Sequence, residues 1–549
     1  MPLQKEPSRM VTAGYLAALL IAAACVFGPV VFFEFVRWDD DINITQNTLI
    51  TEGWSWSAFG HCFDSSTTLR FKPLHWILYK MIYGLFGLEP GAWHSFNLVL
   101  HTLAGALFFL VLREIFARTH PALTNKRREG TAFLAAMFWM VHPLRSEVVA
   151  WCTASTYALA ALGALFSFLC YLKAYQQGPN GIVDRRWLGL SWVGALAAFA
   201  SYPVAAGYAA WLVAADFWLL NRGPKNEKSW WLKHAMFSGP AALIVLLTAY
   251  SRIATPGIFR AAPTLETVDV GSRALMAFAN LGDLIARVLK PGYMTPNVMP
   301  ISGSLAHEPK VIASALFAGI LVIACWIIRK RWSGGPLLGL GFVGLSLPCL
   351  GLTEQPTWLV DRYTYVAHLA LVGSMAAAGL SIVRTKTKLW VAGALGVAFF
   401  CALQAYRQTQ HWRNDDKLFS LMEAAPDFLA EPTQAGHIYV LWARSSREAG
   451  QYEVAAHQLN RAQQVYVDSM RDALKEKNHG RALVISMSME QYFDLTPELH
   501  RERAAWLLEL GRYQEAKAIL AGIKSLLPND ARLDELSRRA TEGAAGAER

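Results

Sequence analysis

From residue 11 to about residue 404 the chain repeats one pattern: an apolar run of membrane-crossing length, then a short polar break. A bilayer core takes roughly 20 helical residues to cross, and no soluble fold needs its apolar residues parcelled this way. The runs fall at about 11–35, 91–113, 130–148, 153–173, 187–202, 204–220, 234–251, 310–328, 334–352, 363–382 and 389–404. Pro203 separates two short ones. This pattern predicts an all-α polytopic membrane protein with about eleven transmembrane helices. The last 145 residues are polar, rich in Ala, Glu, Gln and Arg, and hold no spanning run. Two domains are expected, a membrane domain over 1–404 and a soluble helical domain over 405–549.

The formal charge of +10 does not read as a nucleic-acid footprint, because much of the excess lies in short inter-helix loops: 126-KRR-128, 329-RKR-331 and 384-RTKTK-388. That is a topology signal. With Lys5 and Arg9 setting the N-terminus on the cytoplasmic side, the basic loops at 114–129, 174–186, 221–233, 329–333 and 383–388 return to that side, and the C-terminal domain is non-cytoplasmic. A bacterial inner membrane is favoured over the endoplasmic reticulum. This count treats 272–289, which contains Arg273, Asp283 and Arg287, as an interfacial or re-entrant helix. The first run lacks a small-residue cleavage site and reads as an uncleaved span. The seven cysteines show no metal spacing; Cys62 and Cys152 both fall on the outer side, a weak basis for a disulfide.

Two further stretches carry structure. The aromatic segment 74-LHWILYKMIYGLFGL-88 suits a helix lying in the membrane interface. In the tail, 450-GQYEVA-455 returns as 511-GRYQEA-516, with a turn glycine, an inward aromatic and a small alanine, as tetratricopeptide-like helical hairpins require. Plain helical hairpins remain the alternative.

On this topology the polar residues in unexpected places share the outer face: Asp39, Asp40 and Asp41; Lys72; His142, Arg145 and Glu147; and Asp361, Arg362 and Tyr363. Charge at the edge of a bilayer is costly unless it is paired or lines an aqueous chamber. The run 131-TAFLAAMFWMV-141 covers only about 17 Å as a helix, so its span must take in the charges that follow. Arg145 and Glu147 are two apart and do not stack on one helix face, so each is expected to reach another segment, in a structural network or at a substrate. Asp361 is placed to cap a helix. Arg362 offers a fork suited to phosphate oxygens, or one that snorkels to the interface. Of the three aspartates, Asp40 or Asp39 fits a general base, with Asp41 a cap or solvent-facing charge; a structural role for the triplet is the competing reading.

Taken in order, WDDDINITQN (38–47), FKPLHWILYKMIYGLFGLEPGAWHSFNLVLHTL (71–103), HPLRSEVVAW (142–151), DFWLLNRG (216–223), DRYTYVAHLAL (361–371) and HWRND (411–415) resemble the C-type (GT-C) membrane glycosyltransferases. The resemblance is strongest to the group with transmembrane and tetratricopeptide regions that includes O-mannosyltransferase-like proteins, and it spans the full length. It implies a polyprenyl-phosphate sugar donor, a protein or glycan acceptor on the non-cytoplasmic face, and contact with membrane lipid. It also implies catalysis at Asp39–Asp40, donor-phosphate contacts from Lys72, Arg145 and Arg362, and a supporting network of His142, Glu147, Asp361 and Tyr363. The chain departs from that pattern at 152-CTASTYALA-160, which lacks a basic–acidic pair, and at 201-SYPVAAGYAA-210, which lacks a Ser-Lys stretch. The expected reaction is an inverting transfer needing no cofactor. A divalent cation held by Asp39 and Asp41 is an open alternative, as are a transporter or flippase of a lipid-linked or anionic solute and a non-catalytic assembly scaffold.

Overall fold

A computed structural model describes residues 9–64, 71–175, 183–225, 229–254, 269–289, 308–328, 335–350, 359–382, 387–425 and 428–547. The basic residues 329–331 and 384–386 and most of the loop at 174–186 lie outside the described residues. All regular elements among the described residues are helical. The chain divides into two compact units, Met1–Leu418 and Phe419–Arg549.

Among the described residues of the first unit, six helices are long and apolar enough to cross a bilayer: Arg9–Phe32, Pro90–Thr119, Cys152–Ala174, Trp230–Tyr250, Asp361–Ser381 and Lys388–Trp412. The protein is therefore an integral, multi-pass membrane protein, but six such helices stand where about eleven were expected. The shortfall has local causes. The run at 130–148 is a helix that stops at Met140 and gives way to a 3-10 turn at Pro143–Arg145. The run at 204–220 is a 3-10 segment from Pro203 followed by an 11-residue helix. The run at 334–352 is a 12-residue helix ending in a turn that contains Pro348. Proline has no N–H and its ring clashes with the preceding turn, so apolar runs that read as continuous in sequence are broken in space. The Arg185–Ser201 helix has 17 residues, and the run at 310–328 forms a 20-residue apolar helix over Pro309–Ile328.

Small residues let the helices approach closely. A Cβ on Gly163 would lie 2.8 Å from the Ala198 backbone nitrogen, and one on Gly194 would meet Ser167 backbone at 2.9 Å. The Ser155–Ala174 and Arg185–Ser201 helices therefore pack backbone to backbone, the usual membrane solution where apolar burial gives no net drive. The segment expected to be interfacial, 272–289, is a helix over Val270–Leu289 that buries Met276, Ala279 and Leu284 along one side.

The second unit is a succession of antiparallel helices around Tyr466, Leu483, Trp506, Leu507 and Leu520. The two related motifs adopt the same local geometry. Gly450 and Gly511 take φ of +75° and +73° at the turns, Tyr452 and Tyr513 open the following helices, and Ala455 and Ala516 are buried. The aromatic expected to point inward does so at Tyr513, which packs on the core, whereas Tyr452 is exposed. Gln451 N–H reaches back to Ser446 O and Arg512 N–H to Leu507 O, the left-handed helix ending that glycine permits.

Candidate functional site

The polar segments of the membrane unit meet around residues 142–155. After a turn containing Pro29 the chain extends, and Asp39 then takes φ of +71°. That is an uncommon conformation for a residue with a Cβ. The turn hands Asp40 inward. Its carboxylate is fully buried and accepts from Thr153 Oγ1 at 2.7 Å, Thr153 N–H at 2.9 Å and Val36 N–H at 3.2 Å. Burial, with a lesser push from neighbouring Asp39, raises its pKa to about 7 against the pull of those donors. Asp39 is exposed. Its carbonyl accepts from Asn43 Nδ2 and lies 3.3 Å from Thr153 Oγ1, while its carboxylate accepts no hydrogen bond from the described residues. Asp41 Oδ1 is buried without a hydrogen-bond partner.

Lys72 precedes the Pro73–Phe86 helix, where proline at the first position suits its fixed φ. It is buried with Nζ 4.1 Å from the Trp76 ring centroid. One turn on, His75 is fully buried against Tyr79, ring centroids 3.9 Å apart, and neither ring nitrogen has a hydrogen-bond partner among the described residues. Burial first, and the Lys72 charge second, keep this imidazole well below the usual histidine range. Tyr79 Oη donates to Cys152 O at 2.7 Å and lies 3.0 Å from Ser155 Oγ. The 71–79 segment thus reaches the same helix start that Asp40 holds. Cys62 and Cys152 are both buried free thiols, not a disulfide.

Arg145 and Glu147 each reach across to the 361–368 segment. Arg145 is fully buried; its Nη2 donates to Thr364 Oγ1 at 2.7 Å and approaches His368 Nδ1 at 3.3 Å. The Trp139 and Tyr365 ring centroids stand 5.4 and 5.2 Å from its guanidinium. Its Nε and Nη1 have no partner, and it forms no ion pair among the described residues. Arg362 differs: its Nη1 donates to Glu147 Oε1 at 2.5 Å and its backbone N–H to Oε2 at 2.8 Å. Its guanidinium also faces the Trp151 ring at 5.3 Å. Asp361 does not cap with its carboxylate, which accepts from Arg287 Nη1 at 3.1 Å. His142 Nε2 lies 3.3 Å from Val288 O, and Tyr363 packs edge-on to Tyr157.

The sequence reading missed several participants. Thr153, in the stretch set aside for lacking charge, supplies two of the three hydrogen bonds to Asp40. Arg287 and Asp283 pair four residues apart on one helix, and Arg287 also binds Asp361; their i,i+4 spacing was the available signal. Asp216, from the quoted DFWLLNRG, is buried and accepts from Lys233, His234 and Tyr171. Among the described residues no group of three or more His, Cys, Asp or Glu side chains has the geometry to hold a metal ion, so Asp39 and Asp41 gain no further candidate ligand there.

No family model matches the chain. It is 29% identical over 192 residues to the protein O-mannosyl-transferase TMTC1 of Mus musculus, a match covering 32% of this chain and 19% of that protein. It is 26% identical over 165 residues to human TMTC4, covering 29% and 22%. The matched stretches thus span about a fifth of the length of these curated relatives. Among solved structures, that of ArnT from Cupriavidus metallidurans bound to undecaprenyl phosphate aligns with a TM-score of 0.38 and 14% identity over 92% of this chain and 81% of that one. The chain is a helical membrane protein distantly similar to these O-mannosyl-transferases.

Proposed function

We propose that this protein is a GT-C-type membrane glycosyltransferase that moves a sugar from a polyprenyl-phosphate donor to an acceptor hydroxyl on the non-cytoplasmic face, with inversion. The observation that carries this reading is Arg145: a fully buried guanidinium with, among the described residues, two nitrogens unpartnered and no carboxylate paired to it. An uncompensated buried charge is among the costliest arrangements a protein can hold. The singly charged phosphodiester of the donor entering beside it would restore the balance. Glu147 already neutralises Arg362, so that arginine stands one step back, orienting the 361–364 turn from which Thr364 meets Arg145. Lys72 is the second cation of the donor site. The distant likeness to O-mannosyl-transferases supports the same class and makes a polyprenyl-phosphate mannose the first donor to try.

In the reaction, the acceptor hydroxyl oxygen attacks the anomeric carbon while the bond from that carbon to the phosphate oxygen breaks. The proton passes to a carboxylate, and the electron pair leaves with the polyprenyl phosphate, whose added charge Arg145 and Lys72 face. Asp39 is the base in this reading. It has an exposed carboxylate free of hydrogen bonds among the described residues, whereas all three of Asp40's hydrogen bonds anchor the loop. The C-terminal helices, read as tetratricopeptide-like, hold the acceptor.

The test is sugar transfer from defined polyprenyl-phosphate donors in detergent, comparing parent, Asp39→Asn and Asp40→Asn. Expected is turnover by the parent and its loss in Asp39→Asn with donor binding and folding preserved. Parent-level turnover in Asp39→Asn would reject the base assignment. Translocation of a lipid-linked sugar without transfer would reject the enzyme.

A further inference from the structure

The HWRND segment, residues 411–415, carries no role in the transfer described above, yet it is tied to the loop that bears Asp39. Glu34 N–H donates to Arg413 O at 3.0 Å. Arg37 N–H donates to Asp415 Oδ1 at 2.6 Å, across 378 residues of sequence, and Arg37 Nε lies 3.7 Å from Asp415 Oδ2. Trp412, almost wholly buried, stacks on Trp151 with ring centroids 5.8 Å apart and planes 18° from parallel. Trp151 is two residues before Thr153, whose two donors hold Asp40. The Asp39 loop is thus gripped from both ends, by Arg413 and Asp415 on its entry and by Thr153 on its exit, and Trp412 braces the strut that carries Thr153.

A simpler role for Asp415, as the cap of the helix it opens, is already filled. Asn414 Oδ1 accepts from Lys417 N–H at 3.1 Å, while Asp415 spends its hydrogen bond on Arg37. The grip also explains how Asp39 keeps its backbone at φ of +71°. A non-glycine residue holds that conformation only where its surroundings over-determine it.

We infer that Trp412 and Asp415 are positioning residues that clamp the Glu34–Asp40 loop in the place from which Asp39 acts. The inference rests on the assignment of Asp39 as base for its catalytic consequence, but not for its structural one. Asparagine at 415 keeps an Oδ1 acceptor for Arg37 N–H, whereas alanine does not, so the two substitutions separate the clamp from general damage.

The experiment uses the full chain in detergent, as parent, Asp415→Ala, Asp415→Asn and Trp412→Leu, with amide hydrogen exchange and transfer kinetics measured on the same samples. Expected in Asp415→Ala is faster exchange confined to amides 34–43. Its kcat should fall about tenfold or more, the scale on which small misplacements of a reacting group are felt, while donor KM stays within about twofold. Asp415→Asn should restore both to near the parent. Trp412→Leu should show the same local loosening if Asp415→Ala does not fold. Unchanged exchange at 34–43 in the folded variants overturns the clamp, as does an Asp415→Asn variant as impaired as Asp415→Ala. A parent without transfer activity would refute the proposed function and leave the exchange result to judge the clamp.

Discussion

Thr153 donates twice to one oxygen of Asp40, from Oγ1 and from its backbone N–H, and in doing so fastens the loop that follows the first membrane helix to the start of another. The carboxylate is fully buried, and burial is the larger influence, lifting its pKa to about 7. An unfolded Asp titrates near ~3.9, so the folded protein binds this proton more tightly. The sign follows: the contribution to stability is full below about pH 4 and is lost as pH rises through about 7. Thermal unfolding of the parent minus that of Asp40→Asn, measured from about pH 4 to pH 8, should therefore decline with pH. A flat difference would show that Asp40 titrates as an ordinary surface carboxylate does.

Arg145 should behave as an anion receptor whose occupant stabilises the fold. A ligand present at about a hundredfold its Kd adds ~2.7 kcal/mol to a single-site protein. Polyprenyl phosphate is expected to raise the parent's melting temperature in detergent, and Arg145→Gln is expected to abolish the rise. The unliganded Arg145→Gln protein should melt no lower than the parent, because the substitution removes a buried charge that lacks a counter-ion among the described residues. A liganded rise of equal size in both proteins would place the phosphate elsewhere.

Much of this arrangement was legible in the sequence, and the parts that were not share a cause. The apolar runs located the membrane unit, and the repeated GQYEVA and GRYQEA motifs located two turns of matching geometry, because both signals are local. The helix count was too high in part because Pro143 and Pro348 break apolar stretches whose composition stays continuous, and because the two runs that Pro203 separates form helices of only 17 and 11 residues. The triplet of aspartates marked the loop, but nothing in 38-WDDD-41 tells which carboxylate turns inward. That is decided by Thr153, more than a hundred residues on. Asp216 with Lys233 and His234 was invisible for the same reason: the partners lie 17 and 18 residues on, on a separate helix, where helical periodicity does not carry across the break.

The Glu147–Arg362 pair gives a coupling test. Both side chains are largely buried, so removing one partner strands the other. Losses of about 3–5 kcal/mol are typical when a buried pair is broken. Glu147→Gln and Arg362→Gln should each lower unfolding stability substantially. The double variant should cost less than the two combined, by about 0.5–3 kcal/mol. Strict additivity in detergent unfolding would mean the contact contributes nothing.

His75 offers a prediction in the opposite direction. Its ring is fully buried, both nitrogens lack partners among the described residues, and Tyr79 and Trp76 pack against it. A buried polar group without a hydrogen bond costs about 1–3 kcal/mol, and an apolar replacement of similar shape recovers part of that. If His75 serves packing alone, His75→Phe should unfold at a higher temperature than the parent and keep full transfer activity. If a substrate hydroxyl completes its hydrogen bonds, His75→Phe should gain the same stability without ligand yet lose the ligand-induced rise in melting temperature. The third result, a variant less stable than the parent in the absence of ligand, would mean that the ring's nitrogens are satisfied in the folded protein after all.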